Sequence, residues 1–281
     1  MGERDKTKTV ERKNGGRLIF YTPLAYALFT RFIKRSKFGI IVWSTEYLIP
    51  LFISMLIVCW TNFDVANAII SIIAVYNFYE IGYIQNDCET IKKEKNPTMR
   101  LTDLQLDFYE IHKYSIYGFR LLIGCLATWY FVEIGTNLMG IIIMWLIIPL
   151  YALYNNMRGR INLYMLLLLT TYRYCVPLYV FGHNTQGLSL ALVILFMSYP
   201  IPKFIEVCAD GKGNPPEKWT HIFLKGFNDR FEFRIKYYLA MTVLCVVLST
   251  ISVIPYKLTL LPLYYLLDRL PQLRMKKLPP R

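Results

Sequence analysis

A chain of 281 residues with 55% apolar and 16% aromatic side chains, but only 18% charged ones, lacks the polar surface of a soluble domain of its size; it reads as an all-α, polytopic helical membrane protein. Its formal charge of +13 would suggest a nucleic-acid partner in a soluble protein, yet Lys and Arg gather at 4–17, 31–37, 92–100, 158–160, 203–236 and 269–281, between apolar stretches, and no nucleic-acid role is expected. The six cysteines show no CxxC or CxxH spacing and the three histidines stand apart, which argues against a disulfide framework and against a zinc hydrolase.

In chain order, residues 1–17 form a polar, basic tail expected to be disordered, with no apolar core behind it that would make a cleavable signal peptide. Residues 18–37 mix aromatic and aliphatic residues with Arg31, Lys34, Arg35 and Lys37, the pattern of an interfacial amphipathic helix. The transmembrane domain is expected over 38–270, with spans at 39–60, 66–84, 116–132, 138–153, 161–181, 188–202, 237–254 and 256–268 around a central cavity open to the cytoplasm. A basic tail, 271–281, closes the chain. The connections near 61–66, 133–137, 182–187 and 254–257 hold only Lys257, so with these eight spans every basic cluster falls on one face. The positive-inside rule makes that face cytoplasmic, with both termini inside and a bacterial inner membrane as the expected host. Two long loops on it, 85–115 and 203–236, occupy comparable places and suggest two halves facing the shared cavity.

The acids of these loops carry the functional signal. If the second span continues as a helix through residue 94, Glu80, Asp87 and Glu94 lie seven apart on one face, with Asn77 a turn before Glu80. Asp87 and Glu94, with Asn86 or Thr90, would then offer the hard oxygens that Mg²⁺ prefers; a solvated helix end is the plain alternative. Glu80 lies in or at the edge of an apolar span, where an ionised carboxylate usually faces a cavity or a partner. In the second loop Glu206 and Asp210 are one turn apart, Gly211 and Gly213 are placed to end the helix, Pro215-Pro216 enforces the exit, and Lys212 hangs beside the acids. Arg173, inside an apolar span, is placed nearer the outer face and stays outside the expected site.

Asn86-Asp87, the acid Glu94, Pro97 and Arg100, the pair Glu206 and Asp210, and the stretch from Tyr154 to Arg158 and Arg160 together resemble the signature motifs of the UbiA superfamily of intramembrane prenyltransferases. The likeness spans roughly residues 30–255 and departs from the family at Thr90 and Glu206, which stand for Asp, at Arg100-Leu101, which stands for Arg-Pro, and in showing eight spans for nine. The resemblance implies a membrane transferase in which Asp87, Glu94, Glu206 and Asp210 hold Mg²⁺ and a diphosphate leaving group. Asn86, Glu80, Arg100, Tyr154, Arg158, Arg160 and Lys212 are then the expected substrate-binding residues. The donor would be a prenyl diphosphate, the acceptor a lipid or an aromatic compound, and membrane lipids would surround the bundle. The Asn96-Pro97-Thr98-Met99-Arg100 ending is similar to the branch that moves phosphoribose from phosphoribosyl diphosphate to polyprenyl phosphate for cell-envelope glycan precursors. That branch is the alternative. A transporter or lipid-binding membrane protein is the competing class.

Overall fold

The computed structural model describes residues 16–34, 38–94, 97–157, 159–182, 185, 187–211, 216–224 and 229–276. Among them the chain is all-helical, without strands. After an N-terminal segment wound as short turns over Ala25–Ala27 and Leu28–Ile33, eight longer helices follow among the described residues. They are α1 (Gly39–Val58), α2 (Val65–Cys88), α3 (Asp103–Glu133), α4 (Leu138–Asn156), α5 (Ile161–Phe181), α6 (Leu188–Asp210), α7 (Arg230–Thr250) and α8 (Leu260–Lys276). The first six are long and apolar enough to cross a membrane. The last two were expected as spans seven and eight and fall outside that set. Helix α7 carries Arg230, Glu232, Arg234 and Lys236 in its first two turns, and α8 has 17 residues with Asp268 and Arg269 within it.

Local chemistry sets the helix ends. Asp64 precedes α2 and its carboxylate accepts from the backbone N–H of Ala66 at 2.9 Å and of Asn67 at 3.2 Å. Thr102 and Gln105 form a reciprocal capping box at the start of α3. Asn137 caps α4 by accepting from Met139 N at 2.9 Å. Pro149 cannot donate to the carbonyl four residues back, and α4 breaks at Leu146. Helix α6 breaks in the same way at Tyr199, ahead of Pro200. It ends where expected: Gly211 takes a left-handed φ of +72° immediately after Asp210.

The chain divides into two compact units, the first formed by residues 1–44 with 69–156 and the second by 45–68 with 157–281. The first packs α2, α3 and α4 together with the N-terminal segment, whose Ile19, Phe20 and Tyr26 share a buried cluster with Ile84, Cys88, Leu101, Tyr109 and Ile116. Of the expected interfacial helix over 18–37, the described residues 18–34 pack against α2 and α3, with Phe20, Tyr26 and Ala27 fully buried, and residues 35–37 lie outside the described ones. In the second unit α7 packs along α8, and α6 along α5. The expected tail 271–281 begins as helix, because α8 runs to Lys276; the expected disordered tail 1–17 lies outside the described residues except for Gly16 and Arg17.

Candidate functional site

The helix that was to carry three acids in register stops early. Helix α2 ends at Cys88, a tight turn follows over Thr90–Lys93, and Glu94 sits on extended backbone, exposed to solvent. Asp87 and Glu94 therefore do not share a helical face. The physical reason is local: past Cys88 the chain turns charged, and Lys92, Lys93 and Glu94 are exposed to solvent. Lys92 bonds outward to Glu89 and to Glu110 of α3.

Asp87, in the last turn of α2, is buried. One carboxylate oxygen accepts from Arg31 Nη2 at 2.9 Å, from Arg100 Nη1 at 3.0 Å and from Asn86 Nδ2 at 3.1 Å. The other accepts from the Tyr26 hydroxyl at 3.1 Å. Arg31 also lies over the Tyr83 ring, 4.4 Å from its centroid, and its Nε has no hydrogen-bond partner among the described residues. Burial alone would lower the Arg31 pKa, but Asp87 and the nearby tyrosines outweigh it and raise it. Tyr26 is pushed well above the usual phenol range, first by burial and then by the negative Asp87. Two guanidinium groups on one carboxylate leave this locus with an excess of positive charge and spare N–H donors.

Glu80 is fully buried, and both its oxygens are engaged by the protein. One accepts from Ala27 N at 2.7 Å; the other accepts from Leu24 N at 3.0 Å and from Arg120 Nη1 at 2.7 Å. Arg120, equally buried, spends its remaining donors on Asn77 and on the carbonyls of Ile19, Phe20 and Thr22. This pair ties the N-terminal segment to α2 and α3 and holds Leu24 at a positive φ of 71°. Its position is that of an anchor, with no oxygen left over for a substrate.

In the second unit Glu206 is buried and gripped by Arg234 through two bonds, Nε to Oε1 and Nη2 to Oε2, the latter at 2.9 Å, with Lys203 Nζ 3.6 Å away. Asp210, one turn on, is exposed. Nearby, Glu46 accepts from Arg269 Nη2 at 2.7 Å and from the Tyr199 hydroxyl at 3.3 Å. Of the expected basic stretch, Tyr154 meets the Tyr151 ring edge-on and Arg160, exposed, pairs with Glu217 at 3.3 Å. Arg158 and Lys212 lie outside the described residues.

The structure thus gathers Asn86, Asp87 and Arg100 in the first unit, buries Glu206 in the second, and leaves Glu94 and Asp210 at the surface. Oxygen donors of the type Mg²⁺ takes are present at Asp87 and Glu206, but guanidinium groups occupy both carboxylates. Among the described residues no three Asp, Glu, His or Cys side chains come together as a metal cage. Sequence reasoning missed Arg31, Tyr26, Arg120, Arg234, Glu46 and Asn155, which donates to Gly82 O at 3.1 Å and Gln85 Oε1 at 3.0 Å. The signal that singled out Glu80, a charge inside an apolar span, also marks Glu46 and Arg120. No protein-family model, curated protein or solved structure matches this chain.

Proposed function

We propose that the chain is a membrane-embedded transferase of the UbiA type, which displaces diphosphate from a prenyl diphosphate and passes the prenyl group to a lipid or aromatic acceptor. The observation that carries this reading is the Asp87 locus: Arg31 and Arg100 converge on one carboxylate oxygen, and Arg31 Nε is left over as a donor. Fixed cationic donors at the polar end of a buried helix suit the oxygens of a leaving diphosphate, whose negative charge grows as the bond to carbon breaks. The bonding pair leaves with the diphosphate. The acceptor supplies the new pair to the cationic carbon, and the proton it loses goes to solvent or to the leaving group.

Magnesium belongs to this proposal through the carboxylates of the resemblance, and when bound it would supply further countercharge for the diphosphate. Because neither unit assembles a cage among its described residues, no step here is routed through the metal. The eight-span count and the cytoplasmic placement of both loops belong to the same proposal and rest on the charge pattern.

A second reading, transfer of phosphoribose from phosphoribosyl diphosphate to polyprenyl phosphate, is favoured by one observation. The Pro97-Thr98-Met99-Arg100 stretch, which bears the likeness to that branch, delivers its arginine to Asp87 at 3.0 Å. Equilibrium binding of inorganic diphosphate to the detergent-purified protein tests what the two readings share. Arg31→Ala and Arg100→Ala should each weaken binding about ten- to a hundredfold, the loss of a charge-assisted bond. Binding that is absent in the wild type, or that ignores both substitutions, would leave a transporter or lipid-binding role as the better account.

A further inference from the structure

The second unit holds a buried group of donors that the transfer reading does not use. Arg234 spends Nε and Nη2 on Glu206, while its Nη1 is buried and has no hydrogen-bond partner among the described residues. One turn along α7, the hydroxyl of Tyr238 is in the same condition, as is that of Tyr265 on α8. The two tyrosine rings stack, their centroids 5.3 Å apart and their planes 15° from parallel. Tyr265 lies 5.7 Å from the Tyr199 ring, and the Arg234 guanidinium lies over that same Tyr199 ring at 5.6 Å. The three orphaned groups therefore belong to one locality. Arg234 is 4% exposed and both tyrosines are fully buried.

All three orphaned groups can donate, and the nearby carboxylates are already engaged, Glu206 by Arg234, Glu46 by Arg269 and Tyr199, and Asp268 by Arg269. Buried donors left without acceptors are expensive, so the locality calls for a guest that brings acceptors. Arg234, Arg269 and Lys203 are balanced there by Glu206, Glu46 and Asp268, so it is the unsatisfied donors, and no surplus of charge, that select the guest. Arginine with two hydroxyls approaching from separate helices suits the three acceptor oxygens of a phosphate better than the two of a carboxylate. Lys203, whose side chain is 41% exposed beside Glu206, marks the edge through which a charged group could pass.

We propose that this cluster is a phosphate-binding site within the second unit, in which Arg234 Nη1 and the hydroxyls of Tyr238 and Tyr265 donate to the oxygens of a phosphate monoester. Recognition is by protein donors alone and needs no metal. The inference does not depend on prenyl transfer, although it shares Glu206, the partner of Arg234, with the carboxylates of that reading: the site would bind phosphate whether or not the chain moves a prenyl group. The phosphate could arrive free in water or as the head of a lipid.

Both sources are tested on the full-length protein with EDTA present throughout. Radiolabelled orthophosphate is measured by equilibrium dialysis in detergent. Thermal unfolding is compared in nanodiscs of pure phosphatidylcholine and in nanodiscs doped with phosphatidic acid. Tyr238→Phe and Tyr265→Phe keep the ring stack and remove only the hydroxyls, which avoids the unpaired Glu206 that an Arg234 substitution would leave behind. The expected result is orthophosphate binding, or stabilisation by phosphatidic acid, that weakens roughly tenfold for each hydroxyl removed, as for a bond to a charged acceptor. A response to orthophosphate identifies a soluble source; a response to phosphatidic acid alone identifies a lipid source. No response in either arm, or a response that both Phe variants keep in full, overturns the proposal and assigns the donors to trapped water.

Discussion

Glu80→Ala tests the account of the first unit most sharply. The wild-type carboxylate sits against Arg120 at 2.7 Å, with both side chains at 0% exposure. Removing it leaves the guanidinium with four neutral acceptors, Asn77 and the carbonyls of Ile19, Phe20 and Thr22, and no countercharge. Breaking a buried ion pair from one side costs about 3–5 kcal/mol. The backbone N–H groups of Leu24 and Ala27 lose their acceptor as well, at about 1–3 kcal/mol each where no water reaches them. The total, about 5 kcal/mol or more, is comparable to the stability of a whole domain. The N-terminal segment should therefore detach before the bundle unfolds. Glu80→Gln keeps one acceptor oxygen and should lose less. The assay is limited trypsin digestion at Arg17 and Arg31 in mild detergent, paired with thermal unfolding of the same samples. The expected order of cleavage rates is Ala above Gln above wild type. If Glu80→Ala unfolds within about 1 kcal/mol of the wild type and its N-terminal segment stays protected, the anchor reading of this pair is wrong.

Further outcomes follow from other contacts. Gly82→Ala would place a Cβ 2.0 Å from Tyr151 Cγ, so this substitution should destabilise the first unit by about 1–3 kcal/mol or more, read as a lowered melting temperature. Arg160→Ala, removing an exposed pair with Glu217, should change stability by only about 0–1 kcal/mol and serves as the control that ion pairs are not interchangeable. Tyr26 has a pKa raised by burial and by Asp87, so the folded state keeps its phenol proton where the unfolded chain loses it. Its share of stability is complete below about pH 10 and falls as pH rises beyond that, and Tyr26→Phe should flatten the alkaline limb of the melting-temperature profile.

Much of the architecture is legible in the sequence because it depends on composition and local chemistry. The apolar runs locate six membrane-length helices, and Gly211 ends α6 as its position after Asp210 implies. The site is less legible because it depends on where side chains from distant segments meet. A heptad of acids predicts one face only while the helix continues, and α2 stops at Cys88, one residue past Asp87. Nothing local announces that Arg31, 56 residues upstream, will lie on Asp87, or that Arg234 will chelate Glu206 from 28 residues away. Glu80 shows the limit of the rule that a charge in an apolar span marks function. The charge does have a partner, Arg120, and the pair serves to dock the N-terminal segment.

The central claim is that this chain breaks a diphosphate bond to carbon. Purified protein in detergent with Mg²⁺ would be given prenyl diphosphates and phosphoribosyl diphosphate separately, each with lipid and aromatic acceptors including polyprenyl phosphate. Diphosphate release and product mass are then read for the wild type, Asp87→Asn and Arg31→Ala. The account predicts a product with one donor class, dependent on Mg²⁺ and reduced at least a hundredfold in both variants. Diphosphate release with neither donor, from protein that melts cooperatively in the same detergent, would contradict it.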